Sequence, residues 1–176
     1  MFERIMGCMM ELLKIRWLIW LFPIVFFIHD LEEILTVEYF SMVLPFKVTT
    51  VEFILAFSIL WLIVFIGCMF AATNKDFIGL GPIQYFSILV AGIFLANGIG
   101  HILQSIFFQK YVPGVITSIF ILVPFCLFSI KKLLLVNLIT CKQILIYLAL
   151  GFILQTPFAM GSIMFAKFIV KIVGNG

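Results

Sequence analysis

Hydrophobic positions along the chain form five long runs, which short polar or Pro/Gly-containing stretches separate. The runs cover about residues 15–39, 51–72, 83–108, 115–130 and 143–170. A helix needs about 20 mainly apolar residues to cross a bilayer, and most of the runs reach that length. Open sheet edges cannot be satisfied in hydrocarbon, so all five runs are predicted to be helices. The pattern therefore predicts an all-α protein in which residues 1–176 form one transmembrane domain, a bundle of about five helices.

Composition and charge agree with a membrane protein. The chain is 65% hydrophobic and 11% charged, with a mean hydropathy of +1.31, whereas soluble domains contain about 45–50% apolar residues. The net charge of +3 comes from basic residues at the ends of the runs, which is typical of topology signals and not of a nucleic-acid surface. An N-terminus in the cytoplasm places seven basic residues on the inner side: Arg4, Lys14, Arg16, Lys75, Lys131, Lys132 and Lys142. The remaining four would lie outside, which favours this orientation.

The segment HDLEE, residues 29–33, interrupts the first hydrophobic run. His29, Glu32 and Glu33 are spaced i, i+3 and i+4 and therefore share one helix face. Asp30 lies about 100° round the helix from His29, at the edge of that face. These residues could cap a helix or extend to the membrane surface, but the apolar residues that follow continue the helix. Because each intramembrane charge costs about 2.5–3.5 kcal/mol, the segment indicates a functional site.

A second polar pair, Asn97 and His101, lies on the third run at a spacing of i and i+4. The first and third helices cross the membrane in the same direction. His29 and His101 each lie about eight residues before the end of their helices, roughly 12 Å inside the same membrane face. Alone, Asn97 and His101 could form hydrogen bonds between helices. The acidic face at the same depth favours a shared site.

Two further features concern the surroundings of this site. Small residues recur at steps of four on the third run, at Gly92, Ala96 and Gly100. They allow close approach of another helix, either within the chain or in a homo-oligomer. The loop that follows contains Val-Pro-Gly-Val, which is typical of a type II turn, and Tyr111, which fits the interfacial aromatic belt.

Three short motifs now stand in order: HDLEE at 29–33, NGIGH at 97–101 and YVPG at 111–114. Together they resemble the HXXEE-domain family of bacterial integral membrane proteins, whose pattern is HxxEE, then NxxxH, then YxPG. The resemblance implies a multi-pass protein of the bacterial inner membrane. It also marks six motif positions: His29, Glu32, Glu33, Asn97, His101 and Tyr111. No activity is established for the family, so the resemblance indicates the site and leaves the reaction open.

The first functional hypothesis is a metal-dependent membrane enzyme, a hydrolase or transferase. Two histidines and a carboxylate are common ligands of zinc, with iron or manganese as alternatives. The predicted metal ligands are His29, Glu33 and His101. Glu32 would be the general base, and Asn97 or Tyr111 would stabilise developing oxyanion charge. The depth of the site indicates a lipid or lipid-linked substrate that enters from the bilayer.

Two alternatives remain. One is a metal-free acid–base lipid isomerase, by analogy with sterol isomerases of the emopamil-binding type. The other is a non-enzymatic proton or metal-ion carrier, or an immunity protein, because intramembrane acids and histidines also form proton relays. The opposite half of the membrane offers few polar residues, since Trp17–Phe27 and Phe53–Phe70 are almost entirely apolar. A transport path is therefore the less favoured of these hypotheses.

Overall fold

The structure, a computed structural model, describes residues 2–37 and 48–174, with side chains for residues 15–37 and 48–172. Within that part, the chain forms five helices and no strand beyond one isolated bridge in the loop after the second helix. The helices are α1 (Phe2–Thr36), α2 (Thr50–Ala72), α3 (Pro82–Phe108), α4 (Val115–Leu135) and α5 (Cys141–Gly174). The predicted end of the first helix at residue 39 lies outside the described residues. So do the side chains of Arg4, Lys14 and Lys47.

Helices α2 to α5 are long and apolar enough to cross a membrane, so the chain is a multi-pass membrane protein. The charged HDLEE segment sets α1 apart from the other four. Even so, α1 packs along α2 and α4 and buries Leu18, Ile19 and Phe22 in the core of the bundle. Helix α1 is thus part of the bundle, and His29, Asp30 and Glu33 of its polar segment are buried.

Two helix boundaries differ by five or more residues from the sequence-based prediction. Helix α4 continues to Leu135, five residues past the predicted end at 130. Lys131 and Lys132 do not end it, because both side chains are exposed while Leu133 remains buried. Long lysine side chains can follow an apolar surface towards water and so permit the helix to continue. Helix α1 begins at Phe2, well before the hydrophobic run starts at residue 15.

Two π-helical segments interrupt the membrane helices, at Ile88–Ile93 in α3 and at Ser118–Leu122 in α4. A π turn adds a residue to the turn and rotates the side chains that follow, relative to a regular α-helix. The segment in α4 ends just before Pro124, which has no backbone N–H to donate. One segment precedes Asn97 and the other directly follows Thr117, so both adjoin polar residues of the site described below.

The small residues of α3 pack against α5 of the same chain. A Cβ atom added to Gly92 would lie 2.9 Å from the backbone oxygen of Tyr147, and one added to Gly151 would lie 3.0 Å from the Ala96 side chain. Gly100 faces Gln155 at an ordinary contact distance of 3.5 Å. The stripe therefore holds two helices of one chain together.

An aromatic layer lies one helical turn from the polar residues of α1 and α3. Phe26 and Phe94 precede His29 and Asn97 by three residues each, and their ring centroids are 4.4 Å apart. Phe22 extends the layer, with ring centroids 4.9 Å from Phe94 and 5.9 Å from Phe125. This layer closes the bundle on the side of the polar residues that faces the start of α1.

Candidate functional site

The HDLEE segment directs its side chains towards different neighbours. Glu33 contacts α3, and His29 contacts both α3 and the first turn of α4. Glu32 contacts the loop and first turn of α4. Asp30 instead lines a groove between α1 and α2. His29, Asp30 and Glu33 are all buried, with 0%, 3% and 5% of their surfaces exposed. The single polar face predicted for α1 is therefore divided among three neighbouring helices.

The structure brings together His29, Glu33 and His101. The Nε2 atom of His101 lies 2.7 Å from Oε1 of Glu33. The Nε2 atom of His29 lies 3.4 Å from the same oxygen. The two imidazole rings are 5.1 Å apart between centroids, and one ligand atom from each residue lies within 4.8 Å of the others. These three residues, called the His/Glu group below, could hold a metal ion.

The dimensions of the His/Glu group suit a small divalent cation. Zinc binds nitrogen and oxygen at about 2.0–2.2 Å, so neighbouring ligand atoms of a tetrahedral site lie roughly 3.3–3.5 Å apart. The 3.4 Å between His29 and Glu33 matches this spacing, while the contact between His101 and Glu33 is shorter. Both ring nitrogens of His101 are buried and lack an aligned hydrogen bond to any described residue. An imidazole without such partners is free to act as a ligand.

Thr117, in the first turn of α4, fixes the orientation of His29. Its Oγ1 atom donates to Oε2 of Glu32 at 2.5 Å and lies 2.8 Å from Nδ1 of His29. Since an ionised carboxylate only accepts hydrogen bonds, the threonine proton points to Glu32 and the His29 Nδ1–H donates to the threonine. The Nε2 atom of His29 then carries a lone pair, which accepts from the Asn97 amide at 3.0 Å. Sequence reasoning did not identify Thr117, which is one hydroxyl among many apolar neighbours.

Glu32 accepts four hydrogen bonds, all from the loop and first turn of α4. The donors are the Tyr111 hydroxyl at 2.6 Å, the Ile116 and Thr117 backbone amides at 3.1 and 2.6 Å, and the Thr117 hydroxyl. The amides belong to the unpaired N–H groups at a helix start, where the helix dipole favours a negative charge. Glu32 therefore joins α1 to the N-terminus of α4 and is not part of the His/Glu group.

Tyr111 has its place in the same junction. Its hydroxyl donates to Glu32 and lies 3.2 Å from the Thr36 hydroxyl. Partial burial, together with the Glu32 carboxylate, raises the pKa of the Tyr111 hydroxyl above its ordinary value. The tyrosine is thus a neutral donor that holds Glu32. Its role in stabilising an oxyanion stays a prediction, which these contacts do not test.

Gly114 is required both by the turn and by the His/Glu group. Its φ of +83° is the left-handed value expected at the third position of a type II turn, and Val115 N–H donates to the Val112 carbonyl at 3.1 Å. A Cβ atom at this position would lie 2.9 Å from Oε1 of Glu33 and 2.9 Å from the His29 ring. The turn predicted from Val-Pro-Gly-Val is confirmed, and its glycine lets the backbone contact the site.

A comparison with protein families adds an independent observation. A family model described as a protein of unknown function with HXXEE motif matches residues 20–129, which is more than half of the chain. The matched region contains all three sequence motifs and every residue of the His/Glu group. Neither the curated proteins nor the solved structures gave a match. The chain therefore belongs to the HXXEE family.

Proposed function

We propose that the chain is a metal-dependent membrane enzyme, a hydrolase or transferase that acts on a lipid or lipid-linked substrate. The observation that carries this proposal is the His/Glu group, in which two imidazole nitrogens and a carboxylate oxygen lie within 4.8 Å of one another. Two histidines and one glutamate are a known ligand set of catalytic zinc, and iron or manganese can use similar ligands. A divalent ion held there would supply Lewis-acid activation of water and of an ester or phosphate group.

The protein side chains have separate roles in this proposal. His29, Glu33 and His101 would hold the ion, with His29 presenting Nε2 because Thr117 occupies Nδ1. One lone pair cannot both bind an ion and accept from Asn97, so ion binding would release the Asn97 amide, 3.0 Å from that Nε2, to donate to a substrate oxygen. Glu32, first considered as a general base, instead supports the site, since all four of its hydrogen bonds are used to hold α4.

The position of the site favours a substrate from the bilayer. His29 lies seven residues before the end of α1 at Thr36, which corresponds to roughly 10 Å along the helix. A polar substrate would have to lose its hydration to reach that depth, whereas a lipid already lies there. The layer formed by Phe22, Phe26 and Phe94 blocks continuation towards the other membrane face. A site closed on one side suits an enzyme better than an ion carrier, which needs a path through both leaflets.

One observation favours a second candidate, a metal-free acid–base enzyme acting on a lipid. The 2.7 Å contact between His101 Nε2 and Glu33 is shorter than the roughly 3.3–3.5 Å between neighbouring ligands of a tetrahedral ion. A protonated imidazole beside a carboxylate would give such a distance. This pair could move a proton within a lipid substrate, as an isomerase requires.

Elemental analysis separates the two candidates. Protein purified from cells supplied with zinc, iron and manganese should contain about one metal ion per chain, as expected for a three-ligand catalytic site. His29→Gln and His101→Gln should lose it, while Gln104→Ala, a matched change one turn further along α3, should keep it. A folded protein without metal would exclude the metal-dependent enzyme and support the acid–base candidate.

A second assay tests the reaction itself. The protein would be reconstituted in vesicles that contain ester-linked and phosphate-linked lipids, and the products would be followed by mass spectrometry. We expect a product that His101→Gln abolishes and Gln104→Ala retains. Turnover that survives both His101→Gln and removal of metal by a chelator would refute the proposed site.

A further inference from the structure

A groove between α1 and α2 forms a second polar feature inside the membrane region. Its volume is about 330 Å³, and apolar side chains make up most of its lining, among them Phe27, Leu31, Phe57 and Leu62. Two polar side chains also line it, Asp30 from α1 and Ser58 from α2. The His/Glu group, by contrast, lies between α1 and α3, so the groove is a separate site.

Asp30 is the unusual residue of this groove. Only 3% of its surface is exposed, yet neither carboxyl oxygen has a hydrogen-bond partner among the described residues. Burying a polar group without a hydrogen-bond partner costs free energy. Acidic side chains inside a membrane are costly as well, and they are rare. Asp30 belongs neither to the His/Glu group nor to the junction of Glu32 with α4. A ligand that offers a hydrogen bond would remove the cost.

We propose that the groove binds a long-chain lipid alcohol, with its hydroxyl group paired to Asp30 and its alkyl chain against the apolar lining. A hydroxyl both donates and accepts, so it can pair with a carboxyl group in either protonation state. A lipid ammonium only donates, and it would add a second charge to be desolvated. The hydroxyl is therefore the better match for a single buried carboxyl.

The groove can be reached from the lipid. Phe27, Leu31 and Leu62 are 53%, 43% and 51% exposed, and on membrane helices such apolar surfaces face hydrocarbon. Asp30 lies six residues before the end of α1, and Ser58 lies eight residues after the start of α2. At 1.5 Å per residue both lie roughly 10 Å from their helix ends, so the hydroxyl would bind below the headgroup level.

Photolabelling tests this site directly. The reconstituted protein would be exposed to hexadecanol that carries a diazirine on its alkyl chain, and to hexadecane that carries the same diazirine. We expect the alcohol to label the groove about tenfold more than the alkane, because the alkane has no hydrogen-bonding group, and tenfold corresponds to about 1.4 kcal/mol. Equal labelling by the two probes would overturn the proposal without the use of any variant.

Variants then assign the contact to Asp30. Asp30→Leu should reduce labelling by the alcohol to that of the alkane, while Asp30→Asn, which still donates and accepts, should retain most of it. Leu62→Trp should fill the groove and reduce labelling by both probes. All three variants should keep the metal content of the unmodified protein, so the outcome is independent of the proposed metal site. Undiminished labelling of Asp30→Leu by the alcohol would refute the pairing.

Discussion

Thr117→Val removes one hydroxyl that two parts of the site share and keeps the branched shape of the side chain. The change deletes the 2.5 Å hydrogen bond to Glu32 and the 2.8 Å hydrogen bond from His29 Nδ1. Glu32 keeps three other donors, so its link between α1 and α4 survives. His29 keeps no acceptor for Nδ1–H among the described residues, and its ring is no longer fixed with Nε2 towards Glu33.

The expected magnitudes follow from these losses. A hydrogen bond to a charged group contributes about 1.5–3 kcal/mol and a neutral one about 1 kcal/mol, so the free energy of unfolding should fall by about 2.5–4 kcal/mol. Loss of a group that orients a ligating histidine typically weakens metal binding by about 10- to 100-fold. The assay is a zinc titration against a competing chelator, together with an unfolding measurement in the same detergent.

Thr117→Ser is the matched control, because it keeps the hydroxyl and removes only a methyl group. It should bind zinc within about threefold of the unmodified protein, a range set by the usual context dependence of such contacts. If Thr117→Val binds zinc as tightly as Thr117→Ser, Thr117 does not orient His29. If both variants lose zinc equally, the effect comes from packing.

The remaining predictions concern the turn before α4. Gly114→Ala should lower the free energy of unfolding by more than about 2 kcal/mol, because alanine is strained at this positive φ and its Cβ atom would clash with Glu33. The clash with Glu33 should also cause loss of bound metal. Gly79→Ala, at a φ of +79° with open space around it, should show the backbone cost alone, about 1–2 kcal/mol, and full metal content. Tyr111→Phe should destabilise the fold by about 1.5 kcal/mol, the lower end for a hydrogen bond to a charged group because Tyr111 is exposed. It should weaken zinc binding less than Thr117→Val, since it leaves the His29 contact in place. Calorimetry with metal analysis checks all three. Equal metal content in the Gly114 and Gly79 variants, or complete metal loss in Tyr111→Phe, would contradict the geometry.

The meeting of His29 and His101 could be predicted from sequence because it depends only on depth. The lengths of the hydrophobic runs give the helix ends. Because successive helices cross the membrane in opposite directions, the depths of residues can be compared directly between the first and third helices. The helix ends and helix directions together predicted that both histidines lie near the same membrane face, and in the structure the centroids of their rings are 5.1 Å apart. The small residues of α3 were equally informative about close helix packing, although only the structure identifies α5 as the partner.

The direction in which each side chain points could not be predicted in the same way. Glu32 and Glu33 are about 100° apart on a helix, and either can reach a different neighbour when helices lie on several sides. The order of helices around α1 therefore decides their partners, and that order is a property of the whole bundle. The π-helical segments rotate the side chains near Asn97 and Thr117 further. No pattern in the sequence predicts the first of these segments.

The motif residues differ in how much of their hydrogen-bonding capacity is used by the fold. Glu32 has four donors for its two oxygens, so it has little capacity left for chemistry and is explained by the junction of α1 with α4. Both ring nitrogens of His101 are buried without an aligned hydrogen bond, and a single oxygen of Glu33 lies 2.7 Å from His101 and 3.4 Å from His29. Groups buried in a membrane at such cost, with bonding capacity unused, are better explained by a ligand than by the fold. We therefore expect Glu32→Gln to act mainly on stability and Glu33→Gln mainly on metal binding, although the two residues are adjacent in the chain.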